Sequence, residues 1–78
     1  MADEQQIIES IADSLTLPVA DIDPESSLKE DLGLNPVEVA DLIEGLSQKF
    51  NIIFDSAEIE QIRTIGDLVE IVEDKMLE

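Results

Sequence analysis

Three groups of residues carry oxygen chemistry at suggestive spacing. Asp21, Asp23 and Glu25 alternate in Asp21-Ile22-Asp23-Pro24-Glu25, like the opening carboxylates of a calcium-binding loop. Such a loop requires Gly at its sixth position and a bidentate Glu at its twelfth, where this chain has Ser26 and Leu32. The segment therefore reads as a solvated turn with weak, nonspecific attraction for divalent cations. Glu38, Asp41 and Glu44 recur every third residue, and paired carboxylates in a cleft can move protons. Among 20 acids some pair falls at any spacing, so these three read as the wet face of an amphipathic helix. They are also a candidate docking stripe for a basic partner. Asp13-Ser14-Leu15 supplies a hydroxyl, but the chain contains no His and no Cys. Nothing pairs a nucleophile with a base, which argues against an enzyme.

The 20 acids stand against 4 bases, a formal charge of −16 on 78 residues. Phosphate neutralisation needs Lys and Arg, so nucleic acid is not an expected partner, and an anionic membrane surface is repelled for the same reason. Without His or Cys the commonest ligands for structural zinc are missing, and no metal site is expected. Ile, Leu, Val and Phe nevertheless make up 27 of the 78 residues. That is well above the roughly 20% below which a highly charged chain stays disordered. No apolar run approaches the ~20 residues of a membrane span, and Met1-Ala2-Asp3-Glu4 has no basic or apolar leader character. The expectation is a single acidic domain, residues 1–78, cytoplasmic and kept monomeric by its own charge.

Hydrophobic spacing predicts the elements that must position these groups. Ile7, Ile8, Ile11 and Leu15 form one stripe of a first helix from about Asp3 to Leu15, ended by Pro18. Asn35 as N-cap, Pro36 at the first helical position and Glu38 three residues after the cap open a second helix. Val39, Leu42, Ile43, Leu46 and Phe50 face its core, and Gly45 suggests a close backbone contact. Asp55 or Ser56 caps a short turn reaching Ile62. Thr64, with Asp67 three residues on, opens a last helix with Ile65, Leu68, Val69, Val72 and Met76 inward. Asn51-Ile52-Ile53-Phe54 is β-prone but reads as a buried loop. The long segment from Thr16 to Leu34 carries Val19, Ile22, Leu28, Leu32 and Leu34 as apolar pegs. Three helices, a short turn and a pegged loop make a small bundle with one crossover.

In this order the pieces resemble the acyl carrier protein family over almost the whole chain. The matching residues are Ser27-Leu28, Glu30-Asp31-Leu32-Gly33, the helix from Val37 to Phe50, the turn from Asp55 to Ile62, and Thr64-Ile65-Gly66-Asp67-Leu68-Val69. The resemblance implies an all-α, four-helix acyl-carrier-like bundle: three longer helices, one short helix, and a long loop between helices 1 and 2. It also implies the transport of acyl groups on a 4′-phosphopantetheine arm for fatty-acid, polyketide or peptide synthesis. Partners would be proteins of acyl metabolism with basic docking patches, met by Glu38, Asp41 and Glu44.

One departure lands on the family's chemistry. The arm is attached to the serine of an Asp-Ser-Leu motif that follows Asp-Leu-Gly and one further residue. Here those three positions read Asn35-Pro36-Val37, a degenerate attachment site. Attachment needs a hydroxyl to attack the pyrophosphate of coenzyme A, and no residue from Leu34 to Ala40 supplies one. No bound cofactor is therefore expected. Ser14 lies in an Asp-Ser-Leu triplet, but it closes a helix where the family serine opens one. Ser47, Gln48 and Lys49 stand where many family members continue with acids, so docking is expected to be weakened or redirected. The leading expectation is a protein-binding, regulatory or scaffold variant. The alternatives are a carrier with a displaced attachment serine, or a bundle that binds lipid noncovalently through Val37, Val39 and Phe54.

Self-repulsion among the net charges predicts that added salt or millimolar Mg²⁺ raises the melting temperature. A melting temperature that stays flat through the titration would contradict that.

Overall fold

A computed structural model describes residues 3–77; Met1, Ala2 and Glu78, included in the single-domain expectation, lie outside the described residues. Asp3 accepts a hydrogen bond from the Gln6 amide at 2.9 Å and so caps helix α1, Glu4–Leu15. The inward stripe appears as expected, with Ile7 and Ile11 fully buried and Ala12 beside them. The helix ends at Leu15 as expected, but by a different cause. Thr16 adopts the left-handed region at φ 58°, and the Thr16 and Leu17 amides donate to the Asp13 and Ala12 carbonyls. This closure satisfies the last carbonyls before a proline can act. Pro18 instead precedes a short 3₁₀ turn, Val19–Asp21.

Helix α2, Pro36–Phe50, starts as its sequence signals require, and Asn51 ends it at φ 55°. Leu42, Ile43 and Leu46 are buried, while Val39 and Phe50 are half-buried at the edge of the core. Asp55, one of the two candidate caps, begins the short helix α3, Ser56–Gln61. Thr64 caps helix α4, Ile65–Met76, whose Ile65, Leu68, Val69 and Val72 complete the core. The architecture is the expected all-α four-helix bundle, and no strand forms among the described residues. The stretch Asn51–Phe54 is a loop but is not buried throughout: Ile53 is 83% exposed. Ser47 accounts for its path, since its hydroxyl donates to the Ile52 carbonyl and its carbonyl accepts from the Ile52 amide at 3.0 Å.

The crossover between α1 and α2 is held by backbone more than by pegs. The first amides of a helix have no partner within it and must find one elsewhere. In α4 the Ile65 amide donates to the Ser26 carbonyl (3.1 Å) and the Gly66 amide to that of Pro24 (2.8 Å). Thr64 and Asp67 close the remaining positions through a capping box. The Leu28 amide donates to the Arg63 carbonyl (2.9 Å), beside an isolated bridge between Ser27 and Thr64. Among the pegs, Ile22 and Leu28 are buried and Leu32 and Leu34 pack partly; Val19, lifted by the 3₁₀ turn, is 45% exposed. From Ser27 the chain closes on itself. The Asp31 carboxylate accepts from the Ser27 amide, the Leu28 carbonyl accepts from the Leu34 amide, and Gly33 takes φ +67° to reverse direction. That turn delivers Asn35 to the start of α2.

The expected close approach at Gly45 is absent; the tight contact is at Gly66. A Cβ on Gly45 would meet only the Ser14 hydroxyl oxygen, at 3.8 Å, whereas one on Gly66 would lie 3.0 Å from the Pro24 carbonyl oxygen. That oxygen is fixed by its bond to the Gly66 amide and cannot easily retreat. Gly45→Ala should stabilise the fold by about 0.5–1 kcal/mol through helix propensity. Gly66→Ala should destabilise it by about 1 kcal/mol or more through overpacking. Denaturant midpoints that move in the same direction for both variants would contradict the contact.

Candidate functional site

The start of α2 is built by reciprocal hydrogen bonds. The Asn35 side-chain carbonyl accepts from the Glu38 amide at 2.8 Å, and the Glu38 carboxylate accepts from the Asn35 amide at 3.0 Å. Pro36 sits at the first helical position, where its missing N–H leaves nothing unpaired and its φ is already helical. Val37 follows at 68% exposed. Asn35, Pro36 and Val37 therefore form a rigid, well-capped helix entrance without a hydroxyl.

The three stripe carboxylates are all exposed, spread over an arc of about 120° around α2. Glu38 is engaged in the cap and, with Asp41, borders a cavity toward the end of α1 that Ser14 and Leu17 also line. Glu44 borders a different cavity on the side of α3. Ser14 is exposed in the last turn of α1, at the carbonyl end of a helix, where an incoming anion is disfavoured. Asp23, from the calcium-like segment, accepts from the Glu25 amide at 2.9 Å in a local turn, and Asp21 lies in the 3₁₀ turn.

On the α3 side of Pro36 opens a groove of about 770 Å³, within the size of small-molecule sites (roughly 300–1,000 Å³). Its walls are apolar: Leu34, Val39, Ala40 and Ile43 on one side, Ile53, Phe54 and Ile59 on the other. Pro36, Lys29, Glu44 and Ser47 stand around it. Of the residues expected to meet a lipid, Val39 and Phe54 line the groove, while Val37 points away to solvent. The difference follows from helical spacing: two positions separate these valines by about 200° around the axis. Sequence reading missed Lys29, Ile53 and Ile59. The β-prone, unpaired Ile52-Ile53-Phe54 run was the one available signal, since apolar loop residues need a surface to face.

Helix α3 forms the far wall yet buries no residue in the core. It is held by its ends. The Asp55 carboxylate accepts from the Glu58 amide (2.8 Å), Glu58 accepts from the Asp55 amide (2.9 Å), and Glu58 pairs with Lys75 of α4 at 2.8 Å. The Asp55 amide first, and then the Lys75 ammonium, hold the Glu58 carboxyl below its ordinary range. No three metal-ligating side chains converge among the described residues, and no helix there is long and apolar enough to cross a membrane.

The capped entrance of α2 thus stands beside an apolar groove in an all-α bundle. Comparison with known proteins supplies the family of that bundle. The family described as "Phosphopantetheine attachment site" matches residues 5–72. The chain is 34% identical to an acyl carrier protein of Exiguobacterium sp., over 97% of this chain and all of that one. It is 37% identical to one from Helicobacter pylori over 86% of each chain, and 36% identical to one from Wolinella succinogenes over 94% and 96%. The chain belongs to the acyl carrier protein family, whose members carry acyl intermediates.

A carboxyl whose folded pKa is depressed contributes stability above its unfolded pKa and loses it as pH falls through the folded one. Below about pH 4, under the usual glutamate value of ~4.3, the amides of 58–61 should lose hydrogen-exchange protection. Glu58→Gln should show that loss already at pH 7. Full protection of α3 in the variant at pH 7 would contradict the role of this pair.

Proposed function

We propose that this chain is an acyl-carrier-fold protein that takes no phosphopantetheine arm at its family position and acts by binding proteins of acyl metabolism. The observation carrying this reading is Pro36 at the first position of α2, the position at which the resemblance would put the family's serine. Transfer of the arm joins a serine oxygen to the pantetheine phosphate as the coenzyme A pyrophosphate breaks, and a pyrrolidine ring has no such oxygen. Proline at this position leaves the cap intact, so loss of the arm does not cost the fold. The protein is not an enzyme on this reading, since its family carries intermediates for catalysts. Its role is to occupy, scaffold or regulate a complex of fatty-acid or polyketide synthesis.

Docking would use the exposed Val37 with Glu38, Asp41 and Glu44, read by a basic patch on the partner. Glu38 is also tied to the cap, so Asp41 and Glu44 are the freer of the three carboxylates. With −16 charges, the chain is proposed to act as a monomer in the cytoplasm. The apolar groove supports a second capacity of the same fold, noncovalent lipid binding between α2 and α3. Ser14 as a displaced attachment site finds less support, at the wrong end of a helix and beside Glu38 and Asp41.

The test is incubation with coenzyme A and a broad-specificity phosphopantetheinyl transferase, followed by intact mass. The chain should stay unmodified, while N35D/P36S/V37L should gain the arm. An increment on the unaltered chain would overturn the proposal, and peptide mapping would show whether Ser14 carries it.

A further inference from the structure

The chain has only four bases, and two of them have a task in the fold. Lys75 pairs with Glu58, and Lys49 sits in the last turn of α2, where the helix dipole favours a cation. Lys29 and Arg63 have no such task. Both are exposed, and neither forms an ion pair among the described residues, although acids outnumber bases 20 to 4. Backbone brings them together: the Leu28 amide donates to the Arg63 carbonyl at 2.9 Å, placing the residue before Lys29 against Arg63. The two side chains border one pocket of about 290 Å³, at which Glu30 is the one acid.

Their place relative to α2 gives them a consequence. Lys29 also stands beside Asn35 and Pro36 at the start of that helix. On the other side of the same helix start, Glu38 and Asp41 border the cavity toward the end of α1, which no base lines. The exposed entrance Asn35-Pro36-Val37 is therefore flanked by carboxylates on one side and by cations on the other. A protein face seated over it meets both signs. A face that is basic throughout gains from Glu38 and Asp41 but sets like charge against Lys29 and Arg63, and like-charge juxtaposition is how interfaces reject a partner. A face that carries a carboxylate opposite the two cations gains on both sides.

We infer that Lys29 and Arg63 select the partner: they admit a docking face that sets a carboxylate beside its bases, and they disfavour one that is basic throughout. This rests on the reading of Glu38, Asp41 and Glu44 as a docking stripe and adds the charge pattern that its partner must present. The contact is noncovalent and needs no group at residue 36.

The probe is a phosphopantetheinyl transferase whose docking face is basic, with its Kd for the full, unaltered chain measured at low salt. K29Q/R63Q should bind about fivefold more tightly than the parent, the scale of two weak surface contacts, and the gain should fade at high salt. Q5E/Q6E makes the net charge more negative by the same amount in the first turn of α1. That turn lies near Lys49, at the opposite end of α2 from its entrance, so this variant should bind nearly as the parent does. If K29Q/R63Q binds no more tightly than the parent, or Q5E/Q6E gains as much, selection at this place is overturned. Single reversals of the transferase's docking bases to Glu should include one that tightens binding to the parent but not to K29Q/R63Q; if none does, acceptance of a carboxylate is overturned. Asp41→Asn should weaken binding in both backgrounds. Indifference to Asp41 would instead overturn the docking stripe on which the inference rests.

Discussion

The unpartnered amides at the start of α4 organise much of this small protein. Ile65 and Gly66 would leave two donors unmet, and the carbonyls of Ser26 and Pro24 meet them. That docking holds a crossover with little regular structure against the bundle. It seats Leu28 in the core, brings Lys29 near Arg63, and directs the turn through Gly33 to the cap of α2. The groove entrance is thus positioned by a set of backbone hydrogen bonds on the opposite side of the loop.

Against that frame, the two sides of the groove differ in rigidity. The α2 side rests on Leu42, Ile43 and Leu46, all in the core, and on a reciprocal cap. On the other side α3 buries no residue of its own, and it is held by its cap, the Glu58–Lys75 pair and the partial packing of Phe54 and Ile62 that flank it. A wall held by its ends can yield to a chain without loss of the core, because local opening costs less than global unfolding.

Much of this was legible in the sequence because helix starts are written in side chains. Asn35-Pro36 with Glu38, and Thr64 with Asp67, named two starts and their reciprocal hydrogen bonds. The inward stripes of α1, α2 and α4 followed from the 3.6-residue period. The crossover's path was not legible, since carbonyl-to-amide bonds leave almost no signature; Gly66, crowded by Pro24, is its faint trace. Several local readings gave way for physical reasons, two of them at the ends of helices. Thr16 closed α1 ahead of Pro18, and Ile53 turned outward because Ser47 fixes Ile52 on the helix end. Around the groove, Lys29 and Arg63 come to border one pocket only in three dimensions, which no local pattern announces.

The central claim is that the carrier fold is kept while the residue at the arm's position, Pro36, can bear no arm. Intact mass of the chain recovered from its own cells addresses that most directly, since every transferase it normally meets has then had access. The account predicts a mass set by the amino-acid sequence and ordinary N-terminal processing, with no pantetheine increment. A pantetheinylated population, mapped to any residue of the chain, would contradict it.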